Sequence, residues 1–320
     1  GMDVHSTNYT LSSYIFEEDK SFATVKLSAE TESILKYIRR IRSEYGDGVD
    51  IVTGYEAGSL GYTLYKDLKN NGIECIIIAP TSLSKKKAGE IKTDKRDAQK
   101  LAHALAVGDF KAVYVPDEHD DEVKQYIRMR DDHKLALKKV KQQILAFCLR
   151  NGHKYDTGKS YWTHKHLKWL RDLELPDLLK NILEEYLISY DYYSLRIEQM
   201  DQRIERFCNE ERYKEKVERL CCLSGMSYHK ALCHIVETSD FDRFRKANSY
   251  SAYIGTVPGE LSSSDDVNRL GITKAGNRHL RTLDIEAAHA IGRTSKKKSR
   301  ALIQRQAKCS SEVISYCDKA

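Results

Sequence analysis

Two stretches of this chain carry residue types that could act on a phosphate. The first is KTDKRDAQKLAHAL, Lys92 to Leu105, where Asp94 and Asp97 stand three apart. In a helix that spacing puts both carboxylates on one face. Asp94 is read as the N-cap, with Ala98, Leu101, Ala102 and Leu105 as a buried stripe behind it. A capped, solvated helix whose acids pair with Lys95, Arg96 and Lys100 would account for the same pattern. The second stretch runs from Tyr253 to Arg281. Ser262, Ser263 and Ser264 follow a Pro258-Gly259 turn and lead into a basic, glycine-punctuated segment. Hydroxyls beside clustered cations suit a phosphate, and a positioned serine oxygen can attack one. Serine-rich turns without any such role are common.

Charge points to the same class of partner. The chain has 320 residues and a net charge of +6, but between Arg269 and Lys308 eleven lysines and arginines face only two acids, Asp284 and Glu286. Arg269, Lys274, Arg278 and Arg281 follow the serines, and Lys296, Lys297 and Lys298 form a run further on. A solvated basic face is one reading; a polyanionic partner, most simply nucleic acid, explains so one-sided a segment better. No apolar run approaches the length of a membrane span, and the start lacks the basic lead and apolar centre of a signal peptide. The eight cysteines form no CxxC pair and no zinc-like spacing, so they are read as reduced core thiols of a cytosolic protein.

The elements that would position these residues fall into three regions. Up to about Pro116, strands alternate with helices, which argues for an α/β layer fold. Strands are expected at Thr10–Ile15 and Ala23–Leu27, paired around a Glu17–Asp19 turn, and at Val49–Thr53 and Glu74–Ala79. Helices are expected at Ser28–Tyr45 and Gly61–Asn70. From Asp117 to Leu220 the chain reads as almost all helix. Leu137, Val140, Ile144 and Phe147 step by threes and fours, as do Tyr186, Tyr190, Tyr193, Ile197, Met200, Ile204 and Phe207. Such spacing predicts a coiled coil or long helical hairpin, broken by the polar Asn151–Ser160. The region from Cys221 onward reads as compact and helical. Its Leu223–Ser227 turn resembles a helix-hairpin-helix, though a plain helix connection explains it as well.

Together, KTDKRDAQKLA and the later PGELSSS…GITKAGNRHLR resemble the DEDD transposases of the insertion-sequence 110 family, relatives of the Piv-type DNA invertases. The resemblance runs along essentially the whole chain. It implies an RNase H-like, resolvase-type α/β domain over 1–116, a helical coiled-coil and dimerisation region over 117–220, and a mainly α C-terminal transposase domain over 221–320. The family's acids carry over to Asp3 in Gly1-Met2-Asp3-Val4-His5, to Glu56 after a short buried strand, and to Asp94 and Asp97. Four converging carboxylates repel one another unless divalent cations sit among them, and all-oxygen ligation favours Mg²⁺ or Mn²⁺ over zinc. Only two residues precede Asp3, so its strand is expected to be short on the leading side and the site to cut poorly.

The family also carries a serine thought to link covalently to DNA. Aligned on Pro258, Gly271 and Ile272-Thr273, it falls on Ser263, with Ser264 where a glycine is usual and Ser262 as second candidate. The implied partners are DNA, a structured guide RNA and further copies of the chain, as a homodimer or higher oligomer. The implied setting is the nucleoid-associated cytoplasm of a bacterium. Two other readings compete: a Holliday-junction-resolvase-like nuclease using only the acids and water, and a non-catalytic nucleic-acid-binding protein.

Overall fold

In the computed structural model, which describes every residue except 47, 84–92, 157–159, 264–265, 294–297 and 320, the chain divides into two units, Gly1–Val115 and Pro116–Ala320. The first is organised by strand alternation. Its strands are β1 (Met2–Val4), β2 (Asn8–Ile15), β3 (Lys20–Ser28), β4 (Val52–Glu56) and β5 (Glu74–Ile78). They form one mixed sheet in the order β3-β2-β1-β4-β5. β1, β2 and β3 pair antiparallel, and β4 runs parallel to both β1 and β5. The hairpin expected around Glu17–Asp19 forms, with longer strands than expected. β4 begins three residues later than the sequence reading and takes in Glu56 as its last residue.

Successive side chains of a strand point to opposite faces, and here the two faces differ. Met2, Tyr9, Leu11, Tyr55, Cys75 and Ile77 share a core with α1 (Thr31–Tyr45) and α2 (Thr63–Asn70), whose Ile34, Ile38, Leu64 and Leu68 are buried. Each fully buried side chain of this size contributes about 1.5–3 kcal/mol. The opposite face is covered by α3 (Asp94–Val107), which packs across β1, β2, β3 and β4. Gly54 shows how close that approach is: a Cβ there would lie 2.9 Å from both the Ile76 carbonyl oxygen and Leu105 Cδ2. Short as it is, β1 is held on both sides. The Gly1 amino group donates to the Ser12 carbonyl at 2.9 Å, Ser12 N–H donates to the Gly1 carbonyl at 3.0 Å, and Met2 pairs with Tyr55.

The second unit is mainly helical. It contains α4 (Glu118–Arg150), α5 (His164–Arg171), α6 (Asp177–Cys208), α7 (Glu211–Cys221), α8 (Tyr228–Thr238) and α9 (Ala247–Ile254). After these come the hairpin β6 (Pro258–Ser263) and β7 (Asp266–Ile272), then α10 (Arg278–Arg293), α11 (Arg300–Gln306) and α12 (Ser311–Lys319). α4 and α6 pack along each other, with Val140, Ile144, Phe147, Leu183, Leu187 and Tyr190 in one cluster that also takes in Leu170 of α5. The other ends of the same two helices enter the C-terminal core. Val123, Ile127, Ile204 and Cys208 are buried with residues of α7, α8 and α10, which is why Pro116–Ala320 holds together as one unit.

The serine-bearing segment, read from sequence as a turn, is instead a two-stranded ribbon. Gly225, in the turn between α7 and α8, has φ +77°, and a Cβ there would meet the Ala287 carbonyl of α10 at 2.8 Å. That turn is therefore a packed helix connection. All eight cysteines are free thiols. Among the described residues no helix is long and apolar enough to cross a membrane.

Candidate functional site

The acidic residues collect on the sheet face beneath the start of α3. Asp3, in the middle of β1, stands opposite Thr10 of β2, and Thr10 stands opposite Lys26 of β3. Glu56 of β4 is one residue beyond Tyr55, the partner of Met2, so it is next to Asp3 on the adjoining strand. Gly54, two residues before Glu56, faces Leu105, which assigns this face to α3. Glu56 itself is exposed.

The start of α3 differs from the sequence reading by one residue. Thr93, with extended φ −143° and ψ 145°, is the N-cap, and its hydroxyl accepts from Arg96 N–H. Asp94 is the first helical residue, so its carboxylate does not cap the helix. Its Oδ2 lies 3.3 Å from Lys26 Nζ, and its Oδ1 lies 3.9 Å from His5 Nε2. His5 Nε2 is also 3.4 Å from Asp3 Oδ2.

These contacts set the electrostatics. Partial burial pushes the Asp3 carboxyl above the usual carboxylate range, His5 pulls it down, and the neighbouring charges of Asp94 and Asp97 push it further up. Asp94 is held below its ordinary value, first by its hydrogen bond from Lys26. The charges of Asp94 and Asp97 beside Asp3 leave a like-charge repulsion that a divalent cation would relieve. The donor set thus fits Mg²⁺ or Mn²⁺. Asp3 and Asp94 would hold such an ion, with Asp97 and Glu56 on the same α3–sheet face. Asp3, His5 and Asp94 bring one ligand atom each within 4.8 Å of one another.

The serines and cations belong to the second unit. Ser263 ends β6 opposite Asp266, and Ser262 stands opposite Val267. Arg269 of β7 is exposed and stands opposite Glu260 across the ribbon. Lys274 and Arg278 are also exposed, and the Lys274 backbone N–H donates to the Gly255 carbonyl. Arg281 departs from the expectation of a phosphate contact. It is buried, and its Nη1 donates to the carbonyls of Ile254 at 2.8 Å and Ala275 at 2.9 Å, tying α10 to the turns that flank the ribbon. Lys298 is exposed but ion-paired with Asp318 and hydrogen-bonded to Gln306. Lys296, Lys297 and Ser264 lie outside the described residues.

A second ligand-like cluster, Cys233, Glu237 and His279, sits inside this unit. Glu237 Oε1 accepts from Arg128 Nε at 2.7 Å and from His279 Nδ1 at 3.0 Å. Its Oε2 accepts from Arg128 Nη2 at 2.8 Å and Asn277 Nδ2 at 2.9 Å. With both carboxylate oxygens doubly engaged, the cluster is a satisfied hydrogen-bond network and not a metal centre.

Sequence reasoning missed His5 and Lys26. His5 follows Asp3 by two, the same-face position of a strand, so its signal was present. Lys26 is placed by the β2–β3 register, which shifts between Leu11 and Ser13 and cannot be counted from the turn alone.

Comparison with known proteins finds family matches in both parts of the sequence. A DEDD transposase profile of IS110 type matches residues 1–151, and the profile of the IS116/IS110/IS902 transposase family matches residues 217–304. A Sinorhizobium fredii protein named as a transposase is 32% identical over 272 residues, 82% of this chain and 63% of its own length. The transposase for insertion sequence element IS1533 of Leptospira borgpetersenii is 33% identical over 246 residues, 75% of this chain and 69% of its own length. The transposase for IS1111A of Coxiella burnetii is 25% identical over 249 residues, 76% of this chain and 68% of its own length. The chain thus spans 63% to 69% of the length of these relatives.

Proposed function

The chain belongs to the IS116/IS110/IS902 family of transposases, and we propose that it cuts and rejoins DNA with Asp3, Glu56, Asp94 and Asp97 as an acidic divalent-cation site and Ser263 as the attacking nucleophile. The observation that carries this reading is the convergence of Asp3 and Asp94 under the start of α3, with Asp97 close enough to raise the Asp3 carboxyl. The order of three antiparallel strands beside two parallel ones supports an RNase H-like first unit.

Bound there, Mg²⁺ or Mn²⁺ would neutralise the scissile phosphate and the oxygens entering and leaving phosphorus. Ser263 Oγ loses its proton and bonds to phosphorus while the bond from phosphorus to a deoxyribose oxygen breaks and that oxygen takes up a proton. The energy of the broken ester is kept in the phosphoserine link. A DNA hydroxyl attacking that link reforms the backbone and returns the serine, so rejoining needs no outside energy source.

Exposed Arg269, Lys274 and Arg278 suit contacts to DNA phosphates and equally to a structured guide RNA. A homodimer through a coiled coil is supported by α6. Its Leu178, Ile182, Ile188, Tyr192 and Leu195 are exposed on the side away from the face packed on α4.

The test is capture of a denaturation-resistant protein–DNA adduct on a nicked suicide substrate carrying the element ends. The expected result is an adduct with the wild-type chain, none with Ser263→Ala, and neither adduct nor cleavage with Asp94→Ala or Asp97→Ala. Cleavage without any adduct would replace this reading by a water-using nuclease. An adduct surviving Ser263→Ala but lost in Ser262→Ala would move the nucleophile by one residue.

A further inference from the structure

Asp94 divides its two carboxylate oxygens. Lys26 Nζ holds Oδ2 at 3.3 Å, while Oδ1 faces His5 Nε2 at 3.9 Å. With Oδ2 facing Lys26, Oδ1 is the Asp94 oxygen turned toward His5. Asp3 presents Oδ2 to the same imidazole nitrogen at 3.4 Å. The three atoms, two oxygens and one nitrogen, all lie within 4.8 Å of one another. Ligand atoms about 2.1 Å from an octahedral ion stand about 3 Å apart when adjacent and about 4.2 Å apart when opposite. The two distances from His5 Nε2, 3.4 Å and 3.9 Å, fall within that span, so small side-chain shifts would close all three atoms around one ion.

His5 is set by backbone, not by chance exposure. It follows β1 directly, and its N–H donates to the Asn8 carbonyl at 3.0 Å in the turn into β2. Its side chain lies on the Asp3 side of the sheet. An imidazole changes what the site prefers. Nitrogen ligands suit first-row transition ions, whereas Mg²⁺ favours oxygen and holds its waters.

We propose that His5 Nε2 is a ligand of the cation shared by Asp3 and Asp94, and that the site therefore favours Mn²⁺ over Mg²⁺. The proposal rests on the reading of the acidic face as a cation site, and it would add one nitrogen to the all-oxygen ligand set expected from sequence. A histidine merely hydrogen-bonded to Asp3 is the competing account, and it makes no prediction about the ion.

The experiment is pulsed electron paramagnetic resonance on the full chain loaded with Mn²⁺, with natural-abundance and ¹⁵N-histidine protein, for wild type, His5→Ala and Asp94→Asn. Circular dichroism and thermal melts check folding; His5 is half-exposed, so the fold should persist. The expected result is a directly bound histidine nitrogen in the wild type that disappears in His5→Ala, where Mn²⁺ affinity falls about tenfold and Mg²⁺ affinity changes less than about threefold. Mn²⁺ bound in the wild type without nitrogen coupling, but lost in Asp94→Asn, would overturn the role of His5 and leave the acidic site standing. Mn²⁺ binding that is the same in wild type and Asp94→Asn would overturn both.

Discussion

Asp3 and Lys26 share one cross-strand row of the first sheet, with Thr10 between them on β2. The two ends of that row meet again above it, because Lys26 reaches Asp94 and Asp94 faces the His5 that touches Asp3. Strand register therefore positions a residue from α3, nearly seventy positions later in the chain than Lys26. An acidic site arranged this way holds a built-in monovalent cation beside the place a divalent one would take.

Lys26→Met tests that arrangement. Removing a positive charge from the rim should strengthen Mn²⁺ binding about five- to tenfold at low salt, by relief of repulsion at a separation of about 5 Å. Because the pair is exposed, stability should change by less than about 1 kcal/mol. Titration of Mn²⁺ followed by its electron paramagnetic resonance signal reads the first effect and urea unfolding the second. Weaker Mn²⁺ binding would mean that Lys26 orients Asp94 more than it repels the ion.

Gly54→Ala tests how tightly α3 is seated. The added methyl would meet the Ile76 carbonyl, a backbone atom of the paired strand that cannot turn aside, and Leu105 of α3. Overpacking of this kind costs about 1–3 kcal/mol. The expected outcome is a lower urea midpoint at unchanged slope, with weaker cation binding as Asp94 and Asp97 lift with their helix. Gly48→Ala, where a Cβ meets nothing within 4 Å, is the control and should stay within about 0.5 kcal/mol. Equal behaviour of the two variants would show that the helix is free to shift.

Arg278 and Arg281 separate surface from core within one motif. Arg281→Met leaves the buried Ile254 and Ala275 carbonyls without their donor, and each lost partner costs about 1–3 kcal/mol. Arg278→Met should leave stability within about 0.5 kcal/mol. It should instead weaken DNA binding and reduce the slope of log affinity against log salt by about 0.9, the signature of one lost phosphate contact. Denaturant unfolding and salt-dependent anisotropy measure the two. An Arg281→Met chain of wild-type stability would return that residue to the nucleic-acid surface.

What was legible in the sequence follows from which signals are local. Asp94 and Asp97, three apart ahead of an apolar stripe, announced a helix with a paired acidic face, and the structure has that helix. The cap was misread by one residue because aspartate and threonine both cap well, and the extended backbone of Thr93 decides between them. The β2–β3 hairpin was visible from its charged turn, whereas its register, and with it Lys26, was not. The ribbon carrying Ser263 was read as a turn because its serines and glycines mimic one. The opposite fates of Arg278 and Arg281 depend on where the turns at Gly255 and Ala275 pack, which no spacing rule contains.

His279 supplies a pH test of the second unit. Its Nε2 donates to Asp131 Oδ2 at 2.7 Å and its Nδ1 to Glu237 Oε1 at 3.0 Å, so both nitrogens carry protons and the ring is cationic. The bond to Asp131, then contacts with Cys233 and Glu237, hold it up to about 12. Burial alone would raise Glu237, but hydrogen bonds from His279, Arg128 and Asn277 outweigh it and hold the carboxyl at about 2. A raised histidine stabilises fully below its unfolded value of 6.5 and loses that contribution as pH climbs toward 12. A depressed glutamate stabilises fully above 4.5 and loses its contribution as pH falls toward 2. The two together contribute most between pH 4.5 and 6.5. Urea unfolding should therefore show stability falling by roughly 3 kcal/mol from pH 6.5 to 9, at about 1.36 kcal/mol per unit. His279→Gln should cost about 1–3 kcal/mol near pH 6 by removing a charged donor from both carboxylates, Glu237 keeping Arg128 and Asn277 and Asp131 keeping Arg130 and His229, and should flatten that alkaline slope. A wild-type profile already flat between pH 6.5 and 9 would rule out the cationic ring.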